Sequence, residues 1–215
     1  MPAIPKPTIS RLCKIYSLLE ELEDKGQLKL SSNEIGRRLG VGSHNIRKDL
    51  TYLGETGTTG SGYEIKKLKD QIAESLGFTR KRKACIVGLG KMGTAILSNE
   101  MFFSKNFDII AGFDTNINRL ETLKIDIPLY PTYDIPVVVK REKIELALLT
   151  LPGETAQNIA EKLIEGGIKG IVNFSPVVLS SPDDKVYITN IDIIDEFRFL
   201  SALFTLEKKE ADNAG

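Results

Sequence analysis

A chain of 215 residues has room for one large domain or two smaller ones, and its 41% apolar residues are enough for ordinary cores. No stretch is long and apolar enough to cross a bilayer, and the opening run MPAIPKPTIS lacks the apolar segment of a secretory signal, so a cytoplasmic protein is expected. The formal charge is zero but unevenly placed. Residues 1–83 hold 16 basic against 10 acidic side chains and the remainder 13 against 19, which directs the basic segment toward a polyanion. Cys13 and Cys85 form no metal-ligand or disulfide pattern and read as two thiols in a reducing compartment.

In chain order, Ile9, Leu12, Tyr16, Leu19 and Leu22 recur at three- and four-residue steps and predict a helix from Ile9 to about Lys25, ended by Gly26. Ser31 and Glu34 have capping-box spacing and open a second helix with Ile35 and Leu39 as its apolar stripe. Gly40-Val41-Gly42 breaks it. Ser43 is placed to cap a third helix running to about Leu53, with Ile46, Leu50 and Leu53 facing inward. Two short helices joined by a tight glycine-containing turn are a helix-turn-helix pattern. Gly54 to Tyr63 holds four glycines in ten residues, which excludes a helix and predicts a β-hairpin with a mobile tip, the wing of a winged helix. Glu64–Leu76 reads as a polar linker helix. Arg80-Lys81-Arg82-Lys83 reads as a basic hinge or a solvated domain boundary.

From Ala84 the texture changes to apolar strands alternating with amphipathic helices. The strands are Ala84–Val87, Asp108–Phe113, Ile144–Leu151, Gly170–Phe174 and Val186–Asn190, with the clearest helix at Thr155–Glu165. This alternation predicts βαβ units and a parallel sheet. A last helix from about Asp192 carries Ile193, Ile194, Phe197, Phe199, Leu200, Leu203 and Phe204, too apolar for a helix with one face in water, so burial against a partner subunit is expected.

The sharpest motif is Cys85-Ile86-Val87-Gly88-Leu89-Gly90-Lys91-Met92-Gly93, a strand followed by GxGxxG and a helix start. Gly88 permits the tight turn, Gly90 lets a pyrophosphate approach the backbone, and Gly93 lets helix and strand pack closely. The N–H groups and positive dipole end at Lys91–Gly93 suit an anion. Asp114 ends the second strand, about 20 residues on, where the ribose-binding acid belongs. It is expected to accept from the adenosine ribose and to repel a 2′-phosphate, favouring NAD(H) over NADP(H). Thr150, Leu151 and Pro152 should lie over the cofactor, and Asn173, Ser175 and Pro176 either border the nicotinamide or serve the loop alone. On the third helix, His44, Asn45, Arg47 and Lys48 are left pointing outward near the N-terminus, where a recognition helix meets DNA. His44 is the only histidine, so the acid/base histidine common in hydride-transfer enzymes is not available at the nucleotide site.

With these motifs assembled, the sequence resembles the Rex family of redox-sensing transcriptional repressors over nearly the whole chain. The resemblance is carried by Ile9-Ser10-Arg11-Leu12, Ile46-Arg47-Lys48-Asp49-Leu50-Thr51-Tyr52, Gly60-Ser61-Gly62-Tyr63, the glycine motif, Ala147-Leu148-Leu149-Thr150-Leu151-Pro152 and Gly166 through Pro176. It implies an α/β architecture: a winged-helix domain over 1–78, a Rossmann domain over 84–190, and a C-terminal helix and tail over 191–215 exchanged between the subunits of a homodimer. It implies NADH and NAD+ competing for one site per subunit, NADH releasing operator DNA, and no catalysis. DNA contacts would come from Ser43, His44, Asn45, Arg47, Lys48 and Tyr52, and from Thr59 and Ser61 in the wing, with Asp192 as the switch residue.

The departures are as specific as the matches. The family's basic wing-tip residue falls at Thr59, its first-helix Arg at Ser17, its Tyr after the first Rossmann helix at Asn99, and the aromatic after the switch acid at Ile193. Without Arg and Tyr, Asp192 loses its implied partners, and a divergent paralogue with an altered NADH response is expected. Two other readings are weighed: a DNA-binding protein sensing another adenine ligand, and an NAD-dependent dehydrogenase with an appended helical domain. The dehydrogenase lacks an acid/base set and room for a substrate domain.

Overall fold

The computed structural model describes residues 4–54, 62–98, 106–181 and 185–213. The chain divides into two compact units, Met1–Arg80 and Lys81–Gly215.

The first unit runs α1 (Lys6–Asp24), β1 (Lys29–Leu30), α2 (Ser32–Leu39), α3 (Ser43–Leu50), a 3₁₀ turn (Thr51–Leu53), β2 (Tyr63–Glu64) and α4 (Ile65–Leu76). Its core is Leu12, Ile15, Leu19 and Leu22 of α1 against Ile35, Ile46, Leu50, Leu68 and Ile72. The predicted α1 stripe is shifted at its start: Thr8 is buried and Ile9 faces outward. Ser31 caps α2 as predicted, its Oγ accepting from Glu34 N at 3.1 Å. Ser43 does not cap α3; Gly42 is the N-cap and no side chain serves it. The predicted linker helix is α4, a wall of the core: Ile65, Leu68 and Ile72 are buried, and Lys69 pairs with Glu23 of α1. Its long polar face hides a stripe at three- and four-residue steps, which is what a helix on the outside of a core must carry. The tip of the predicted wing, 55–61, lies outside the described residues, and so do Thr59 and Ser61. What is described is the base, where β2 pairs antiparallel with β1 through Lys29↔Glu64 and Leu30↔Tyr63.

The second unit runs β3 (Arg82–Val87), α5 (Lys91–Leu97), β4 (Phe107–Asp114), α6 (Ile117–Thr122), β5 (Leu129–Pro131), α7 (Ile135–Glu142), β6 (Leu146–Leu149), α8 (Gly153–Glu165), β7 (Gly170–Asn173), β8 (Tyr187–Asn190) and α9 (Ile193–Asn213). The sheet order is β5-β4-β3-β6-β7-β8, and every pair is parallel. This is the doubly wound order, with its reversal between β3 and β6. Alternate residues of β3 feed opposite faces: Cys85 and Val87 pack with Phe113, Leu149 and Ile159, whereas Ile86 packs with Leu89, Ile96 and Leu97. The predicted hinge is partly sheet, since Arg82 opens β3 and pairs with Glu145 at 3.2 Å while Lys81 meets Asp108 at 2.9 Å. Burial pushes the Cys85 thiol up to about 12, and the half-buried Cys13 thiol of α1 is raised too.

Two surfaces of this unit are unusually bare. On one face of β7 and β8, Val172 and Tyr187 are 38% and 67% exposed. Along α9, Ile194, Phe197, Phe199, Leu200 and Phe204 all face outward, so the burial expected for this helix is not met within one chain. Asp192 caps it, its Oδ1 accepting from Ile194 N at 2.8 Å.

The sharp turn of the helix-turn-helix depends on Gly36, where a Cβ would lie 2.4 Å from the Val41 carbonyl oxygen. Gly36→Ala is expected to destabilise the first unit by about 1–3 kcal/mol through backbone displacement. Denaturant unfolding followed by helix signal measures it, and an unchanged midpoint would show that the turn relaxes freely.

Candidate functional site

The carboxyl ends of β3, β4 and β6 converge on the glycine turn. Gly88, at φ +98°, donates its N–H to Phe113 O at 2.8 Å, and Thr150 N donates to Val87 O at 2.9 Å. A Cβ on Gly88 would lie 2.6 Å from Thr150 O, and one on Gly93 would lie 2.0 Å from Gly88 O. A Cβ on Gly90 would meet nothing within 4 Å. The first and third glycines are therefore required by the chain's own packing, whereas the second fronts open space at the start of α5, with Lys91 and Met92 exposed beside it. That open cradle fits an anion brought against backbone N–H groups. Thr150 has a task the sequence did not reveal: its Oγ1 donates to Gly88 O at 2.6 Å, clamping the turn.

Asp114, 2% exposed, is more fully engaged than a free ribose acceptor. Oδ2 accepts from Leu89 N at 2.7 Å and from Arg119 Nη1 at 2.8 Å, and Oδ1 accepts from Asn116 N at 2.8 Å. Burial works to raise its pKa, but the Asn116 N–H, the Arg119 guanidinium and the Leu89 N–H outweigh it and hold the carboxyl below its ordinary value. Arg119 is thus the counter-ion of Asp114.

Beyond β6, Leu151 is buried and Pro152 exposed. Beyond β7, Asn173 is wholly buried; its Nδ2 donates to Val177 O at 2.8 Å and Asn190 Oδ1 at 2.9 Å, and its Oδ1 accepts from Ser175 N at 2.9 Å. These bonds tie the loop after β7 to β8. Ser175 Oγ is buried with no partner among the described residues. Ser175 and Pro176 line a cleft of about 460 Å³ with Asn190, Asp192, Asp195 and Glu196. Asp192 makes no ion pair among the described residues. Ser17 is exposed on α1, its Oγ donating to Cys13 O at 3.3 Å, and Asn99 lies outside the described residues.

In the first unit, His44, Asn45, Arg47 and Lys48 are exposed on α3, with Ser43 and Tyr52 half-buried. Arg47 Nη1 donates to Ser32 Oγ at 3.2 Å. The residue that positions this face was not singled out from sequence. Asp49, 1% exposed, accepts from Arg11 Nε at 2.5 Å, Arg11 Nη2 at 2.8 Å and Thr8 Oγ1 at 2.9 Å. This fork fixes α3 against α1 and so sets the angle at which the polar face is presented. The signal was available: Ile46, Asp49 and Leu50 share one helix face, and an acid on an apolar stripe needs a cation.

Asp49→Ala strands Arg11 and Thr8 and is expected to cost about 1–3 kcal/mol of stability, together with a loss of DNA affinity larger than Lys48→Ala causes. Unfolding curves and DNA titration measure the two effects; wild-type DNA affinity in the variant would remove the positioning role. Asp114 yields a pH prediction. Because its folded pKa is lowered, its contribution is present above the ordinary carboxyl value and is lost as pH falls through the folded one. Asp114→Asn should flatten the acid limb of the second unit's stability profile, as read by thermal melts across the acid range.

Comparison with known proteins agrees with both halves. A family model described as "Putative DNA-binding protein N-terminus" matches residues 3–51, and one described as "CoA binding domain" matches 79–177. The redox-sensing transcriptional repressor Rex of Pelotomaculum thermopropionicum is 33% identical over 97% of this chain and 96% of its own. That of Limosilactobacillus reuteri is 36% identical over 92% of each. The crystal structure of RSP, a Rex-family repressor, superposes with a TM-score of 0.84 at 30% identity over the full length of both chains. RSP in complex with β-NAD+ and operator DNA scores 0.85, and its complex with β-NADH scores 0.83. With a GxGxxG turn at the strand ends of one unit, a helix-turn-helix in the other, and relatives of this similarity along the whole chain, the protein belongs to the Rex family of redox-sensing transcriptional repressors.

Proposed function

We propose that this chain is a DNA-binding transcriptional repressor that reads the NADH/NAD+ ratio in the cytoplasm, NADH binding releasing operator DNA. The observation that carries it is the open cradle at Gly90 beside Asp114 in a chain that also presents His44, Asn45, Arg47 and Lys48 on α3. Gly88, Gly90, Lys91, Met92, Gly93 and Asp114 would hold the adenosine diphosphate half of NAD(H). Leu151, Pro152, Ser175 and Pro176 would border the rest, with Thr150 and Asn173 holding the loops. The chemistry supplied by the ligand is a change of charge on its nicotinamide ring; the chain's part is to bind each form and transmit the difference.

We further propose a homodimer in which α9 is exchanged. A parallel sheet is normally covered on both faces, and here the bare face around Val172 and Tyr187 lies in the same unit as a helix whose apolar side chains all face solvent. Two copies would satisfy both needs and present two recognition helices to a palindromic operator. Two ligands that prefer different arrangements of such a dimer would shift it between DNA-binding and released states.

Ser17 and the absence of a described ion pair at Asp192 favour a second reading, in which the family's switch is retained in altered form. Titrating NADH and NAD+ separately into the operator complex at fixed salt decides between them. Release by NADH alone is the expected result and shows that the switch works without the Arg. Equal loss with both ligands supports the altered response, and no effect of either moves sensing to another ligand.

A further inference from the structure

The loop that follows β7 is held by two asparagines that stand opposite each other in the last register pair of β7 and β8, Asn173 and Asn190. Asn173 closes the near part of the loop, its Nδ2 donating to Val177 O and its Oδ1 accepting from Ser175 N. Asn190 takes the far part. Its Oδ1 accepts from Leu179 N at 2.9 Å and its Nδ2 donates to Leu179 O at 3.2 Å, so one side-chain amide engages both polar groups of one backbone residue. The same Oδ1 accepts from Asn173 Nδ2 at 2.9 Å, which joins the two halves of the clasp. The Leu179 side chain is buried in the core of the unit. The chain leaves this clasp straight into α9: Ile191 N donates to Asn173 O at 2.8 Å, and the next residue, Asp192, caps the helix at Ile194 N.

The cleft of about 460 Å³ is lined by this loop, from Ser175 to Val178, and also by Asp192, Asp195 and Glu196 at the start of α9, with Asn190 on its wall. Its occupant would therefore meet the loop and the helix start together, and Asn190 is bonded to the first and lies two residues before Asp192. Ser175 Oγ is buried in the loop with no hydrogen-bond partner among the described residues, a cost that favours a second arrangement in which the hydroxyl is satisfied. We infer that Asn190 is the positioning residue that carries ligand occupancy at the loop after β7 to α9. Its amide holds the loop and the helix start in register, so a loop displaced by a bound nucleotide displaces the helix that carries Phe197, Leu200 and Phe204 on its outer side. The inference rests on the redox-sensing reading above and assigns the transmission step within it to one side chain. A second tether isolates that role. Gln157 of α8 holds the same loop, its Nε2 donating to Ser180 O at 3.3 Å and its Oε1 accepting from Ser180 N at 3.5 Å, but α8 does not lead into α9.

The test measures operator affinity with and without saturating NADH, by fluorescence anisotropy on the full-length protein and a palindromic operator duplex, for wild type, Asn190→Ala, Asn190→Asp and Gln157→Ala. The quantity read is the factor by which NADH weakens operator binding, which is the coupling between the two sites. Asn190→Ala should lower that factor about fivefold or more, whereas Gln157→Ala, which also loosens the loop, should leave it within about twofold of wild type. Asn190→Asp keeps the acceptor for Asn173 Nδ2 and Leu179 N but sets a carboxylate oxygen against Leu179 O. It should lose coupling as well, and it carries the test if thermal melts show that the alanine variant does not fold. A factor lowered equally by Asn190→Ala and Gln157→Ala, or unchanged in both Asn190 variants, would overturn the inference and leave the sensing reading standing. Loss of NADH binding itself in the Asn190 variants would do the same, since the residue would then serve the ligand site alone. A wild-type protein whose operator affinity NADH does not alter would overturn both.

Discussion

The carbonyl of Gly88 stands where a side chain on Gly93 would begin, 2.0 Å from that Cβ position. This close approach is the constraint on which the nucleotide unit is built. It lets α5 start directly above the end of β3, which in turn leaves Gly90 facing open space at the reversal of the sheet order. Thr150, from the neighbouring strand end, locks the same carbonyl with its hydroxyl. Three chain segments are therefore held at one atom, and the only part of the turn left uncommitted is the part a ligand needs.

Both units contain a buried carboxylate held by an arginine, at very different sequence separations. Asp49 and Arg11 are joined through two hydrogen bonds across 38 residues, and the pair is structural: it sets where a helix lies. Asp114 and Arg119 are five residues apart at a strand end, joined through one hydrogen bond from Nη1. Removing a buried partner leaves an unpaired group in either case, and in both pairs the carboxylate is the buried member and the guanidinium the more exposed one.

Much of this was legible in the residues. The strand, GxGxxG and distant acid located the nucleotide turn because each glycine answers a different geometric need, and the helix-turn-helix followed from two short apolar stripes and a glycine break. Other features were hidden for physical reasons. β1 and β5 span only two and three residues, too few for a period to show. The α4 segment reads as a linker because its exposed face is rich in lysine and acid, which masks Ile65, Leu68 and Ile72. Asn173 reads either as a ligand neighbour or as a loop residue because it is polar at a strand end, and its amide makes three bonds, to Val177, Ser175 and Asn190 of β8, that spacing alone does not show. The compensation of Asp114 depends on Arg119, whose reach back across a turn is a matter of three-dimensional placement that spacing alone does not specify.

Cys85, sealed in the centre of the sheet, has a meaning for signalling that its packing role does not exhaust. Oxidants attack thiolates, and a thiol raised by burial to about 12 supplies almost none near neutrality. Cys13, raised as well, is a poor target by the same argument. Those two are the chain's only cysteines, and in both the environment disfavours the thiolate that oxidants attack. A sensor whose thiols are held protonated leaves its reading of redox state to a reversibly bound ligand rather than to covalent change.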